Sequence, residues 1–184
     1  MKKQLLIFIL SLNINLFAQD SKINLELNYP LPLGNNFMGV YYNGLIDLGG
    51  SYKYGELSFF NLGTSINLSV LNRDFSDEYS ERKITSYMVQ PKLFVELALE
   101  SIKKLKPIFG LGYNFILIDN TPSSMTGSET GFNLSLGTKY YISERINFNM
   151  IYDFTKLNLA DDVPNTTFNS DIHILKIGLG YSLK

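Results

Sequence analysis

Apolar and polar residues alternate along most of this chain, in blocks separated by turn-forming residues. From Lys22 to Tyr29, Ile23, Leu25, Leu27 and Tyr29 interleave with Lys22, Asn24, Glu26 and Asn28. A strict period of two predicts a strand with one apolar side. Pro30, Pro32 and the run Gly34-Asn35-Asn36 predict a loop after it. A second strand is expected from Gly39 to Tyr54, with Val40, Tyr42, Ile46, Leu48 and Tyr52 opposing Tyr41, Asn43, Asp47, Ser51 and Lys53. Gly55-Glu56 turns the chain into a third, Leu57 to Leu71. There Phe60, Leu62, Ile66, Leu68 and Val70 oppose Asn61, Gly63, Ser65, Asn67 and Ser69.

The charged stretch Asn72 to Lys83 is expected to be a loop, and the fourth strand to run from Ile84 to Leu99. Its apolar face carries Tyr87, Val89, Leu93, Val95, Leu97 and Leu99, and its polar face Ser86, Gln90, Lys92 and Glu96. Pro91 lies on the apolar face; lacking a donor, it predicts a bulge or kink. Ser101 to Lys106 is a polar connector. The fifth strand, Pro107 to Ile118, sets Phe109, Leu111, Tyr113, Phe115 and Leu117 against Gly110, Gly112 and Asn114. After a Thr-, Ser- and Gly-rich loop, Asp119 to Thr130, the sixth, Gly131 to Tyr141, alternates Phe132, Leu134, Leu136 and Tyr140 with Asn133, Ser135, Gly137 and Lys139. Ser143-Glu144-Arg145 leads into the seventh, Ile146 to Thr155, where Phe148, Met150, Tyr152 and Phe154 oppose Asn147, Asn149 and Asp153. Leu157 to Ser170 is the last expected loop. The eighth strand begins at Asp171, with His173, Leu175, Ile177, Leu179, Tyr181 and Leu183 on one side and Ile174, Lys176, Gly178, Gly180 and Ser182 on the other.

Eight strands is an even number, and the connections alternate in length. Tyr54–Glu56, Ser101–Lys106 and Ile142–Arg145 are short; Pro30–Met38, Asn72–Lys83, Asp119–Thr130 and Leu157–Ser170 are long. Short turns at one end and long loops at the other are the habit of transmembrane barrels. The pattern therefore predicts an all-β, eight-stranded antiparallel up-and-down barrel, with both termini on the short-turn side.

Composition sharpens this picture. Residues 1–18 read as a cleaved secretory signal: Lys2 and Lys3, then the apolar run Leu5 to Leu12, then Phe17-Ala18-Gln19 at the cut. Residues 19–184 then form one barrel domain. The run is too short to span hydrocarbon of ~30 Å, and beyond residue 20 nothing approaches the 18 apolar residues of a spanning helix, so the 45% apolar content is spread through strands. The absence of cysteine excludes a lipoprotein anchor, disulfides and thiolate chemistry. A net charge of −1 with mixed signs offers nucleic acid no basic face.

Alternation does not say which face is inside. A soluble ligand-binding barrel hides its apolar face, whereas a membrane barrel shows it to lipid. Asn, Ser and Gly dominate the polar face here, which suits a tight hydrated interior. The tyrosines of the apolar face, Tyr29, Tyr52, Tyr87, Tyr113, Tyr140, Tyr152 and Tyr181, fall near strand ends, where a ring sits in lipid and a hydroxyl among headgroups. The inward charges are then Glu26, Asp47, Lys92, Glu96, Lys139, Asp153 and Lys176, expected to form an internal polar network or, alternatively, to line a narrow ion path. Glu26 and Lys176, on the first and last strands, are expected to pair across the closing seam.

The ending Lys176-x-Gly178-x-x-Tyr181-x-Leu183 resembles the C-terminal assembly signal of outer-membrane β-barrels. With it, the mature chain resembles the outer-membrane β-barrel domain family, being similar to the small OmpA and OmpX barrels and their porin-like relatives. That resemblance implies the outer membrane of a Gram-negative bacterium, periplasmic termini and extracellular loops. It implies membrane lipid and the barrel-assembly machinery as partners, the latter through the C-terminal strand, and no cofactor. Some small barrels are enzymes; an eight-stranded lipid A deacylase would show a His-x-Ser pair near its last strands. Here Ile174 and Leu175 follow His173, which reads instead as an interfacial residue. Asp161-Asp162 lacks the spaced ligands of a calcium loop. The expected function is a non-enzymatic barrel serving envelope structure or surface interaction through its long loops. A narrow small-solute pore and a soluble ligand-binding barrel are the alternatives.

Overall fold

An open sheet leaves two edges of unpaired N–H and C=O groups, and this chain removes both by closing on itself. The computed structural model describes residues 23–57, 59–77, 80–98, 102–121, 125–157 and 171–183. The expected signal segment lies outside the described residues. In order the elements are β1 (Ile23–Leu33), α1 (Phe37–Tyr41), β2 (Asn43–Leu57), β3 (Phe60–Asp77), β4 (Ser80–Leu97), β5 (Leu105–Thr121), β6 (Met125–Tyr141), β7 (Ile146–Leu157) and β8 (Asp171–Leu183). Each strand pairs antiparallel with the next, and β8 returns to β1 from Ile23↔Leu183 to Leu33↔His173, giving a closed barrel. We call the end holding the β2–β3, β4–β5 and β6–β7 connections the turn end, and the opposite one the loop end.

The faces have the sign of a membrane barrel. Leu27, Leu93, Leu117, Leu136 and Leu179 point outward and are exposed, while Asn24, Asn67, Asn133, Asn147 and Asn149 point inward and are buried. Apolar side chains outside and amides inside overturn the soluble-barrel alternative, which requires the reverse.

Besides the loop expected from Pro30, which starts only after Leu33 because Pro30 and Pro32 stay in β1 opposite Lys176 and Ile174, three local expectations need correction. The described residues of the stretches 72–83 and 119–130 are not loops. They continue the hairpins, with pairing carried from Arg73↔Ile84 to Asp77↔Ser80 and from Ile116↔Glu129 to Asn120↔Met125. Beyond the membrane a hairpin has water on both faces and needs no apolar stripe, so its strands leave no period-two signal. As a result β3 and β4 are 18 residues long and β5 and β6 17, against 12 for β7 and 13 for β8, and the wall is taller on one side. Second, β2 begins at Asn43 rather than Gly39, because Asn36 caps a helical turn over Phe37–Tyr41, its Oδ1 accepting from Gly39 N at 2.8 Å. Third, Pro91 makes no bulge. Its missing donor interrupts the β4–β5 ladder between Val89↔Phe115 and Lys92↔Gly112, and the register is the same on both sides. The register shifts lie in β2 instead, at Gly44/Ile46 and Lys53/Gly55.

Candidate functional site

Inward-pointing side chains leave one continuous space to examine, the lumen. In its turn-side half the strands deliver charges at depths where water cannot compensate them, so each must find a partner. Lys176 of β8, 1% exposed, has three N–H donors and three acceptors: Asp47 Oδ2 of β2 at 2.8 Å, Asp153 Oδ2 of β7 at 2.9 Å and Gln90 Oε1 of β4. Asp153 also holds Lys92 of β4 at 3.0 Å. Asp47 collects further donors from Asn28 at 2.7 Å, Asn67 at 2.9 Å and Ser69. This deep chain of two carboxylates and two ammoniums is electrically neutral. Glu26 of β1 pairs with Lys139 of β6 and accepts from Asn24 Nδ2 at 2.9 Å.

Nearer the turn end, Glu96 lies among Lys53 at 2.6 Å and Lys106 at 3.4 Å, and both ammoniums face the Tyr141 ring. Between these clusters is a chamber of about 30 Å³, lined by Glu26, Ser51, Asn67, Lys92, Ser135 and Lys139. Phe94, Ile108 and Ile151 also line it, and its volume and polar groups suit ordered water.

The loop-side half has the opposite chemistry. Leu71 of β3, Met88 of β4, Ile116 of β5, and Ile172 and Ile174 of β8 point inward and form an apolar cup. Left open to water it would be an exposed apolar patch. The connection from β1 to β2 turns into the mouth instead, and α1 places Met38 and Tyr42 in the cup, 1% and 4% exposed. The i, i+4 spacing of these two residues puts them on one helical face. The Arg73 guanidinium stacks 4.1 Å from the Tyr41 ring on the opposite side of α1.

All seven charges expected inside are there: Glu26, Asp47, Lys92, Glu96, Lys139, Asp153 and Lys176 are each buried. The expected Glu26–Lys176 pair does not form. Closure staggers the strands, so Glu26 lies opposite Gly180, and Lys176 opposite Pro30, four residues further along β1. Counting from strand ends assumed no stagger. Lys53 and Lys106 were not expected as partners of Glu96, and the cup was not expected at all. The cup's signal was apolar residues on polar strand faces: Leu71 after Ser69, Met88 between Ser86 and Gln90, Ile116 after Asn114, and Ile172 and Ile174 of β8.

The seven tyrosines, Tyr29, Tyr52, Tyr87, Tyr113, Tyr140, Tyr152 and Tyr181, all lie on the outward face. In the terminal strand Lys176 and Gly178 face the lumen, and Tyr181 and Leu183 face out. A Cβ at Gly178 would collide with the backbone of Leu27 and Asn28, so this close approach of β8 to β1 requires glycine. His173 sits half-buried on the outer wall, its Nδ1 bonded to the Tyr152 hydroxyl and its ring 5.3 Å from that of Phe154. Asp161 and Asp162 lie outside the described residues.

A sequence model of the outer membrane protein beta-barrel domain matches residues 5–182. No match to a curated protein sequence is found. Among solved structures the chain is similar to Ail, the attachment invasion locus protein of Yersinia pestis, at 14% identity and a TM-score of 0.59, covering 88% of this chain and 96% of that one. It is also similar to the outer membrane protein OprG of Pseudomonas aeruginosa, at 15% identity and a TM-score of 0.57, over 86% and 94% of the two chains. A third is neisserial surface protein A, at 13% identity and a TM-score of 0.55, over 90% and 98%. At these identities the likeness is one of fold.

Proposed function

Since this chain belongs to the outer membrane protein beta-barrel family, we propose that it is a non-enzymatic, non-conducting barrel of the Gram-negative outer membrane that serves envelope structure or surface interaction through its loop end. On this reading the loop end faces outside, the termini face the periplasm, and Tyr181 and Leu183 form the strand end engaged by the assembly machinery. The observation that carries it is the filling of the lumen at two successive levels. The three donors of Lys176 are all taken across the full width of the barrel, and above them α1 seals the mouth with Met38 and Tyr42. An ion crossing would have to separate paired charges and then pass an apolar seal, each step opposed by several kcal/mol.

Planar-bilayer recording of the refolded protein tests the reading. The expected trace has no discrete steps, and a reproducible unitary conductance would establish the narrow-pore alternative instead. Protease treatment of intact cells, expected to cut at the loop end, tests the orientation independently.

A further inference from the structure

Several buried side chains of the lumen keep an unpartnered polar atom, and two of them stand side by side directly beneath the apolar cup. Gln90 of β4 and Asn114 of β5 are both fully buried. The flanking pairs Val89↔Phe115 and Lys92↔Gly112 place them directly opposite one another, both facing inward. Lys176 donates to Gln90 Oε1, which fixes the amide and leaves Gln90 Nε2 without an acceptor. Asn114 gives its Nδ2 to Thr155 Oγ1 at 3.1 Å, which leaves Asn114 Oδ1 without a donor. The next inward layer toward the loop end is Met88 and Ile116, with Ile174 one step above Lys176 on β8. An orphan donor and an orphan acceptor thus stand on neighbouring strands at the floor of an apolar container. One chemical group satisfies both at once: a hydroxyl, accepting from Gln90 Nε2 and donating to Asn114 Oδ1.

We propose that the cup is a binding site for an apolar molecule bearing a hydroxyl head, an aliphatic alcohol, which enters when α1 withdraws. The plug is built to leave. It is a single helical turn, far below the length at which a helix holds itself together. Its hydrogen bonds run back onto its own segment: Asn36 Nδ2 to Leu33 O, Gly39 N to Asn36 Oδ1, Val40 N to Asn36 O and Tyr42 N to Met38 O. Gly34, at φ +85°, supplies a pivot on the β1 side, and the register shift at Gly44/Ile46 lies on the β2 side. Seated in the cup, Tyr42 keeps its hydroxyl buried without a partner, a cost relieved on withdrawal. The outer side of α1 exposes Val40 and Tyr41 beside the outward Leu45, so the plug stands at the lipid boundary, where amphiphilic alcohols collect.

The chain has no tryptophan, so Val40→Trp gives a single reporter on the plug. With this protein in bilayer nanodiscs, dodecanol is expected to shift the emission saturably. Dodecane, which offers the floor nothing, should act about tenfold more weakly. Changing the floor with Gln90→Leu and Asn114→Leu together should erase that difference, and the gel shift on heating checks that this variant folds. Met38→Ala, which empties part of the cup and leaves the floor intact, should tighten dodecanol binding. The inference is overturned by the absence of a saturable shift, by equal responses to alcohol and alkane (the floor then holding only water), by an alcohol preference that survives the floor change, or by unchanged affinity in Met38→Ala. Bilayer conductance reports on the proposed function separately, so the two can fail independently.

Discussion

The two halves of the lumen fill the same width of barrel with different forces, and they differ in what they fix. In the turn-side half the charges are held by contacts with a direction, Lys176 to Asp47 and Asp153, Lys92 to Asp153, Lys139 to Glu26, with Phe94, Ile108 and Ile151 packed among them. Three of these bonds join strands that are not neighbours in the wall, β1 to β6, β2 to β8 and β4 to β7, and the fourth joins the neighbours β7 and β8. A slip of one residue in any of them would turn a charge into lipid, so the polar half holds the register. In the loop-side half Leu71, Met88, Ile116, Ile172 and Ile174 need only be covered by something apolar, and Met38 and Tyr42 cover them from a segment outside the sheet. Directional contacts specify a single arrangement. Non-directional contacts tolerate exchange of the covering group, which is why the cover in this half can come from a segment outside the sheet.

That contrast can be broken most sharply at Lys176. Lys176→Met leaves Asp47 and Asp153 facing each other without their shared cation and should destabilise the barrel by ~3–5 kcal/mol, read from urea unfolding in lipid. Adding Asp47→Asn should recover part of the loss, whereas Glu26→Gln should simply add to it because the two residues do not meet. Next in size is the outer wall at mid-height, where Leu134 pairs with Leu111 and Phe154. Leu134→Arg should cost ~2–4 kcal/mol, and a label at 134 should be quenched by lipid-borne quenchers while one at 135 is not.

A smaller effect is expected at the plug. Met38→Ala should cost ~1–2 kcal/mol, below the usual range for a buried methionine, because Met38 sits on a covering segment outside the sheet and not in the wall; a loss as large as that of Lys176→Met would mean that the cup is as rigid as the network. The smallest belongs to Lys156–Asp171, a 2.9 Å pair with an exposed lysine. Lys156→Ala should change stability by less than about 1 kcal/mol, in the same urea titration.

Strand number, facing and the identity of the inward charges were legible because each depends on a period of two, which residues such as Asn24, Glu26 and Asn28 state without ambiguity. The pairing of those charges was not legible. It depends on barrel stagger, a property of all eight strands together, and no single strand encodes that Glu26 falls opposite Gly180. Met38 and Tyr42 escaped notice for a different reason. In a search for alternation, Val40 and Tyr42 share a strand face, and only the Asn36 cap converts the segment to a helical turn, bringing Met38 and Tyr42 together. The upper hairpins, whose sequences lack a sustained apolar alternation, carried no pattern to read.

Those hairpins leave the rim uneven. β3 and β4 run 18 residues and β7 only 12. At ~3.3 Å per residue and a tilt near 40°, the extra length lifts one side of the mouth by roughly 15 Å. Among the described residues, the crest formed by β3 to β6 is therefore the part of the barrel that a large body approaching along the membrane normal touches first.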